Sequence, residues 1–262
     1  MTYVMESPDE GRRLAAQARA NPARERLARA GFGPAMRVLD VGCGSGDVTR
    51  ELAELVGPGG RVVAVDPSAS RRAEARAALA AFPQVEVQEG ALPRLGFADG
   101  DFDGVFSQYV LEYLGDPAPH VRECARVCRS GGRVVISDID AHGLHNWPMA
   151  PEVQDGVKRL ETALASTGFD LYVGRKLFHH FRQAGFIDVQ VQVTPIDVVA
   201  GAADERLIAD WRQRLAVLTP LAVGHFGGVS AWNTFCEGYL AMLADPLALK
   251  YTLLVTTAGT RP

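Results

Sequence analysis

Val38-Leu39-Asp40-Val41-Gly42-Cys43-Gly44-Ser45-Gly46 reads as a buried strand, a glycine turn and the start of a helix. Val38 to Val41 is a short apolar run, and the three alternate glycines remove every Cβ where the backbone must turn and approach a ligand closely. From Asp47 the period becomes helical, with Val48, Leu52, Leu55 and Val56 on one face. The free N–H groups of that helix start point back into the turn, an arrangement that attracts carboxylate or phosphate.

Folds that bind dinucleotides use G-x-G-x-x-G in the same strand-turn-helix setting. Here the spacing is G-x-G-x-G, and Asp40 stands at the strand end just before the first glycine. A carboxylate there would repel a pyrophosphate but suit an ammonium. The run D-V-G-C-G-S-G resembles the signature of class I S-adenosylmethionine-dependent methyltransferases, in particular the type 11, UbiE-like enzymes that act on small molecules. The resemblance implies an α/β fold: a Rossmann-like, seven-stranded, mostly parallel sheet with helices on both faces, an antiparallel last strand and helical cap insertions. It also implies S-adenosylmethionine as cofactor, with Gly42, Cys43, Gly44 and Gly46 holding its methionine end and Asp40 orienting the turn and the ammonium.

Working outward, Arg61-Val62-Val63-Ala64-Val65-Asp66 is a second strand ending in a carboxylate, followed by Pro67. Asp66 lies 20 residues after Gly46, close to the spacing at which the acidic residue of a βαβ unit meets a ribose. Capping of the helix from Ser68 is the structural alternative, and both roles can hold together. Val85 to Glu89 alternates as a third strand, and Gly90-Ala91-Leu92 follows where the family commonly has G-D-A. With Ala91 in place of the aspartate, adenine has to be held by the backbone near Leu92 and by apolar contact. Ser107, Gln108 and Tyr109 follow the strand Gly104 to Phe106, at the carboxyl edge where open α/β sheets bind ligands. Arg129-Ser130-Gly131-Gly132 stands where the family has K-P-G-G.

The next strand, Val134 to Asp138, delivers a loop from Asp140 to Pro148 carrying His142, His145 and Trp147. These three, with Tyr109 and Tyr113, are the expected substrate lining; His142, His145 and Tyr109 are the candidate general bases. Pro151 to Thr167 and Gly174 to Ala184 have helical periods, Ile187 to Val193 alternates as a strand, and Val198 to Leu243 reads as helix broken at Pro220 and Gly227-Gly228. Lys250 to Ala258 is β-branched and threonine-rich, a last strand expected to enter antiparallel between the fifth and sixth. The chain divides on this reading as one domain: an N-terminal helical lid over 1–34, in which Tyr3 and Gln17 could touch the ligand; a cofactor-binding core over 36–194 and 247–262; and a helical cap over 195–246.

A chain of 262 residues, 47% hydrophobic, can bury one substantial core. Its net charge of −4 disfavours a broad nucleic-acid footprint. The four cysteines form no C-x-x-C pair, and Cys124 and Cys128, four apart, read as core rather than as metal ligands. No metal site is expected. The first residues lack the basic start and apolar centre of a signal peptide, and no run approaches the ~20 apolar residues that span a bilayer, so the expectation is a cytoplasmic protein, monomeric or homodimeric, with no membrane or nucleic-acid partner. The resemblance implies methyl transfer to a small, partly apolar or aromatic metabolite, at oxygen, carbon or nitrogen, of the kind found in quinone and secondary metabolism. Three readings compete with it. A nicotinamide-dependent oxidoreductase requires a third glycine one residue later and no Asp40. An enzyme of the same fold could use the bound sulfonium in a cyclisation or rearrangement without methylation. A non-catalytic S-adenosylmethionine-binding partner subunit would bind and not turn over.

Overall fold

A computed structural model describes residues 23–262, the side chains of 144 and 145 excepted. The predicted lid contacts from Tyr3 and Gln17 lie outside the described residues. Among the described residues the first helix is α1 (Arg24–Arg29), and β1 (Arg37–Val41) takes the third place in a seven-stranded sheet. Leu39 pairs with Val63 of β2 (Arg61–Asp66) on one side and Val105 of β4 (Phe102–Gln108) on the other, both in parallel register. Strands covered on both faces need side chains that are apolar in both directions, which is why these segments read as unbroken hydrophobic runs. The order is β3-β2-β1-β4-β5-β7-β6, with β3 at Val85–Glu89, β5 at Cys128–Trp147, β6 at Ile187–Ala200 and β7 at Leu249–Thr260. As expected, β7 runs antiparallel between β5 and β6.

Alternate residues of the strands feed two cores. Leu39, Val41, Val63, Val65, Val105, Val134 and Ile136 pack beneath α4 (Pro117–Val127) and α6 (Val173–Gln183). Val38, Val62, Phe106 and Val135 face α1 and α2 (Asp47–Val56). Cys124 and Cys128 are fully buried in the first core, and burial pushes their thiols up to about 12 and about 11, so they act as small apolar side chains. A third apolar cluster stands beyond the carboxyl edge of the sheet. There α5 (Pro151–Ala165) packs Val153, Val157, Leu160 and Leu164 against α7 (Glu205–Phe226) and α8 (Val229–Leu243). The remaining helix, α3 (Ala69–Ala78), lies between β2 and β3 in sequence and is capped by Ser68, whose hydroxyl accepts from Arg71 N.

Three sequence expectations are corrected. The segment Asp140 to Pro148 is not a loop: β5 runs on to Trp147 along β7, with a bulge between Asp140 and His145 where Ala141 and Gly143 take positive φ. Its glycine, histidines and proline carry turn chemistry, but β7 supplies a partner for the backbone that outweighs them. β6 continues seven residues past Val193 to Ala200, so the boundary expected at 195 falls inside a strand. Pro220 does not break α7 but lies within it. The interior proline costs about 3 kcal/mol, a cost offset where Leu215, Leu218, Ala222 and Phe226 bury against the third cluster. Among the described residues β6 and β3 are the two outer strands of the sheet. Val191, Val193 and Val198 are exposed on β6, and Asp188 and Asp197 sit at positive φ beside the register shifts.

Candidate active site

The glycine turn is held from below by β2. Gly42 N and Cys43 N both donate to the Val65 carbonyl, at 2.8 and 3.0 Å, and Gly44 N donates to Asp66 Oδ2 at 3.0 Å. Gly42 has φ +77°, and a Cβ built on it would stand 2.3 Å from Val110 Cγ2, so the position demands glycine twice over. Gly46, the N-cap of α2, has no side-chain partner for the helix start. Asp47 brings a carboxylate into the first turn, and its Oδ2 accepts from the Ser45 hydroxyl at 2.7 Å.

Asp66 is 8% exposed, and its second oxygen accepts from Ser68 N at 2.8 Å. Burial raises its pKa while the two backbone donors pull it down. A carboxylate has about four acceptor sites, so two remain for a vicinal diol. Asp40 is buried under the turn and accepts from Thr49 Oγ1 at 2.6 Å. Burial pushes it up to about 7, the Thr49 bond opposing and the Asp66 charge adding to the rise. Cys43 is half-buried, and burial with the two neighbouring aspartates raises its thiol pKa far above the ordinary range, which makes it a neutral side chain in the turn. Pro67 is exposed, and its carbonyl accepts from Arg72. Gly90 is half-buried against Val65, Ala91 is exposed, and Leu92 turns into the first core, leaving only backbone there for an adenine.

At the end of β4 the expected residues separate by role. Ser107 is 1% exposed and spends its hydroxyl on the Val41 carbonyl at 3.0 Å, tying β4 to β1. Gln108, one residue beyond the Val41–Ser107 pair and so level with Gly42, accepts at Oε1 from Arg26 Nη2 at 2.5 Å. Tyr109 has φ +57°, a strained value for a bulky residue. Burial raises its phenol far above the ordinary range, opposed by Arg26. The turn after it is organised by Asp138, which sequence reading missed. This fully buried carboxylate accepts from Leu111 N at 2.9 Å, Glu112 N at 3.3 Å and Ile139 N at 2.9 Å. Burial pushes it up to about 7 against those donors. Tyr113, in a single 3₁₀ turn (Leu111–Tyr113), meets Phe169 edge-on at 4.9 Å between ring centres.

The bulged half of β5 faces α7 and α8. His142 stacks on Trp211 at 5.5 Å, and its Nε2 is a partner of Arg214 Nη1. A guanidinium only donates, so Nε2 must be the acceptor of that bond and cannot take a proton from a substrate. Arg214 also reaches Asp210 at 2.7 Å and lies over the Trp211 ring at 5.1 Å. Tyr239 donates to the Gly143 carbonyl at 2.9 Å. Trp147, expected as pocket lining, is 71% exposed and stands in solvent at the far end of the strand. The strand gives it no cover because its ladder partner Leu249 is itself exposed. The backbone of His145 pairs with Tyr251; its expected side-chain role lies outside the described residues. Tyr109, Tyr113, Tyr172 and Trp211 are half-buried around the third cluster, at the same edge as the glycine turn.

The fold is shared with S-adenosylmethionine-dependent methyltransferases. A putative methyltransferase from Bacillus halodurans superimposes with a TM-score of 0.63 at 19% identity, over 92% of this chain and 99% of that one. Phosphoethanolamine N-methyltransferase 2 from Haemonchus contortus, solved with S-adenosyl-L-methionine, gives 0.60 at 17% identity over 100% and 60%. Residues 39–136 match the family model described as a methyltransferase domain. The 2-phytyl-1,4-naphtoquinone methyltransferase of Synechocystis sp. is 32% identical over 188 residues, 62% of this chain and 79% of that protein. The chain belongs to the S-adenosylmethionine-dependent methyltransferase family. It spans about half the length of other curated relatives that it matches, among them a protein of a Streptomyces fradiae transposon. No described helix is long and apolar enough to cross a membrane.

Proposed function

We propose that the protein transfers a methyl group from S-adenosylmethionine to a small, partly apolar or aromatic metabolite. The observation that carries this reading is the third apolar cluster, on which Tyr109, Tyr113, Tyr172 and Trp211 pack half-buried, together with the position of Tyr109 beside Val110, the residue that stands against Gly42. The residues fit the cofactor: Asp66 retains two acceptor sites for the ribose, Asp40 and the turn suit the ammonium end, and Gly90 to Leu92 offer backbone to the adenine. Bound S-adenosylmethionine supplies a methyl group already activated by its sulfonium. The protein's own task is then to orient the acceptor and exclude water, for which well-oriented groups are worth roughly 7–11 kcal/mol. α5, α7 and α8 supply the cover as a helical cap, its helical part starting after β6 rather than at 195.

Of the two expected bases whose side chains are described, neither is placed to take a proton, and the carboxyls raised to about 7, Asp40 and Asp138, are buried under their own turns. His142 has its Nε2 engaged by Arg214, and the buried phenol of Tyr109 stays protonated and can only orient an acceptor by hydrogen bonding. Unless His145, whose side chain lies outside the described residues, takes the proton, the acceptor arrives ionised or as a nucleophile of low basicity. The quinone methyltransferase among the relatives supports an aromatic acceptor. The test is a screen of hydroxylated aromatic and quinol acceptors with S-adenosylmethionine, read as S-adenosylhomocysteine release and product mass. A mass gain of one methyl on an aromatic acceptor is expected. Product of unchanged carbon count would favour the rearrangement reading, and cofactor binding without release from any acceptor the non-catalytic one.

A further inference from the structure

The glycine turn is rich in negative charge for a site that must hold an amino acid. Asp40, Asp47 and Asp66 surround it, and Asp47 already stands in the first turn of α2, where a ligand carboxylate would otherwise be drawn. The methionine half of the cofactor carries an ammonium and a carboxylate. The aspartates suit the first and repel the second, so the carboxylate needs a cation of its own.

Arg26 of α1 supplies one. The residue is 7% exposed, and its Nη2 reaches Gln108 at the level of Gly42. Its Nε is buried and makes no hydrogen bond. Among the described residues no carboxylate lies within ion-pair distance: Glu51 is near enough for its charge to act on Arg26, but it accepts from the backbone N–H groups of Ala23 and Arg24 and its Oε2 is left buried without a partner. A guanidinium taken out of water with one neutral amide as its partner is costly, and burial indeed lowers its pKa. A chain gains nothing in stability from such an arrangement. A bound carboxylate would satisfy it.

We propose that Arg26 binds the α-carboxylate of the methionine half of S-adenosylmethionine, through its unpartnered Nε and the remaining guanidinium edge, with Gln108 holding the side chain in place. This rests on the cofactor reading of the glycine turn. It makes α1 part of the cofactor site by charge.

The test is calorimetry on the full chain with two ligands: S-adenosylhomocysteine and its decarboxylated analogue, 5′-deoxy-5′-(3-aminopropylthio)adenosine, which keeps the ammonium and lacks only the carboxylate. The wild type should prefer S-adenosylhomocysteine by tenfold or more, and Arg26→Gln should lose that preference by weakening S-adenosylhomocysteine alone. Equal losses for both ligands, or no loss for either, overturn the assignment. If Arg26→Gln does not fold, Arg26→Lys keeps the charge without the planar fork; it should show a smaller loss confined to S-adenosylhomocysteine, and an unchanged preference overturns the proposal. A wild type that binds the two ligands equally refutes the role of Arg26 and leaves the cofactor site standing. A wild type that binds neither refutes both.

Discussion

Asp66 divides its work between the chain and a ligand: one acceptor site of each oxygen holds backbone, at Gly44 and Ser68, and one is left over. Charged hydrogen bonds are worth about 1.5–3 kcal/mol each, so Asp66→Ala should weaken S-adenosylmethionine binding tenfold or more in calorimetry. Unchanged affinity would remove the residue from the ribose site. Asp40 differs because burial pushes it up to about 7, against roughly 3.9 in an unfolded chain. Between those values the folded protein holds the proton more tightly, so this group's contribution is complete below about pH 4 and is lost as pH rises through 7. Asp40→Asn should therefore flatten the fall in melting temperature between pH 5 and pH 8; parallel curves for variant and wild type would assign the pH dependence elsewhere. The places of the glycines, Asp40 and Asp66 at the strand ends were legible because they follow from local spacing. Arg26 and Asp138 were not, since a charged residue in a short helix or strand carries no mark of burial until its neighbours are known. Ser107 was read correctly in place, yet its hydroxyl turned out to serve the sheet.

At the scale of elements, the bulge of β5 is the joint between sheet and helices. Gly143 has φ +69°, and a Cβ there would meet Trp211 Cη2 at 2.4 Å while Tyr239 bonds its carbonyl. Gly143→Ala adds a left-handed strain of about 1–2 kcal/mol to that collision. The melting temperature should drop by several degrees, at about 2–4 °C per kcal/mol for a chain of this size. Affinity for S-adenosylhomocysteine, read by calorimetry, should stay within about twofold, because the glycine turn lies on other strands. A large loss of cofactor affinity would show that the two ends of the site are coupled. Neither the length of β5 nor that of β6 could be read from the sequence, because β7, which pairs with both, begins 49 residues after the end of β6 and more than 100 after the end of β5. Pro220 misled for a related reason: its local cost is real, and distant packing outweighs it.

For the molecule as a whole, the proposed function puts the cofactor at the sheet and the acceptor under α5, α7 and α8, with His142 spent on Arg214 and Tyr109 held neutral. The rate should then follow the acceptor's own ionisation. Across acceptors of graded acidity, the acid limb of kcat/KM against pH should move with the acceptor's pKa, whereas a limb fixed near 6.5 for all of them would restore a histidine base. The seven-stranded, mostly parallel sheet and the antiparallel β7 between β5 and β6 were foreseen from the family resemblance, and a helical cap was expected; the joint packing of α5, α7 and α8 in one cluster was not legible, because these segments share no motif. One margin of the molecule has a different significance. An open strand with exposed valines is a template onto which other chains can add and build fibres. On β6 the ladder is interrupted at Asp188 and Asp197, and Pro195 between them lacks an N–H to offer. These kinks make the rim a poor seed for aggregation, so a change that straightened it, such as Asp197→Val, would trade solubility at high concentration for a smoother strand.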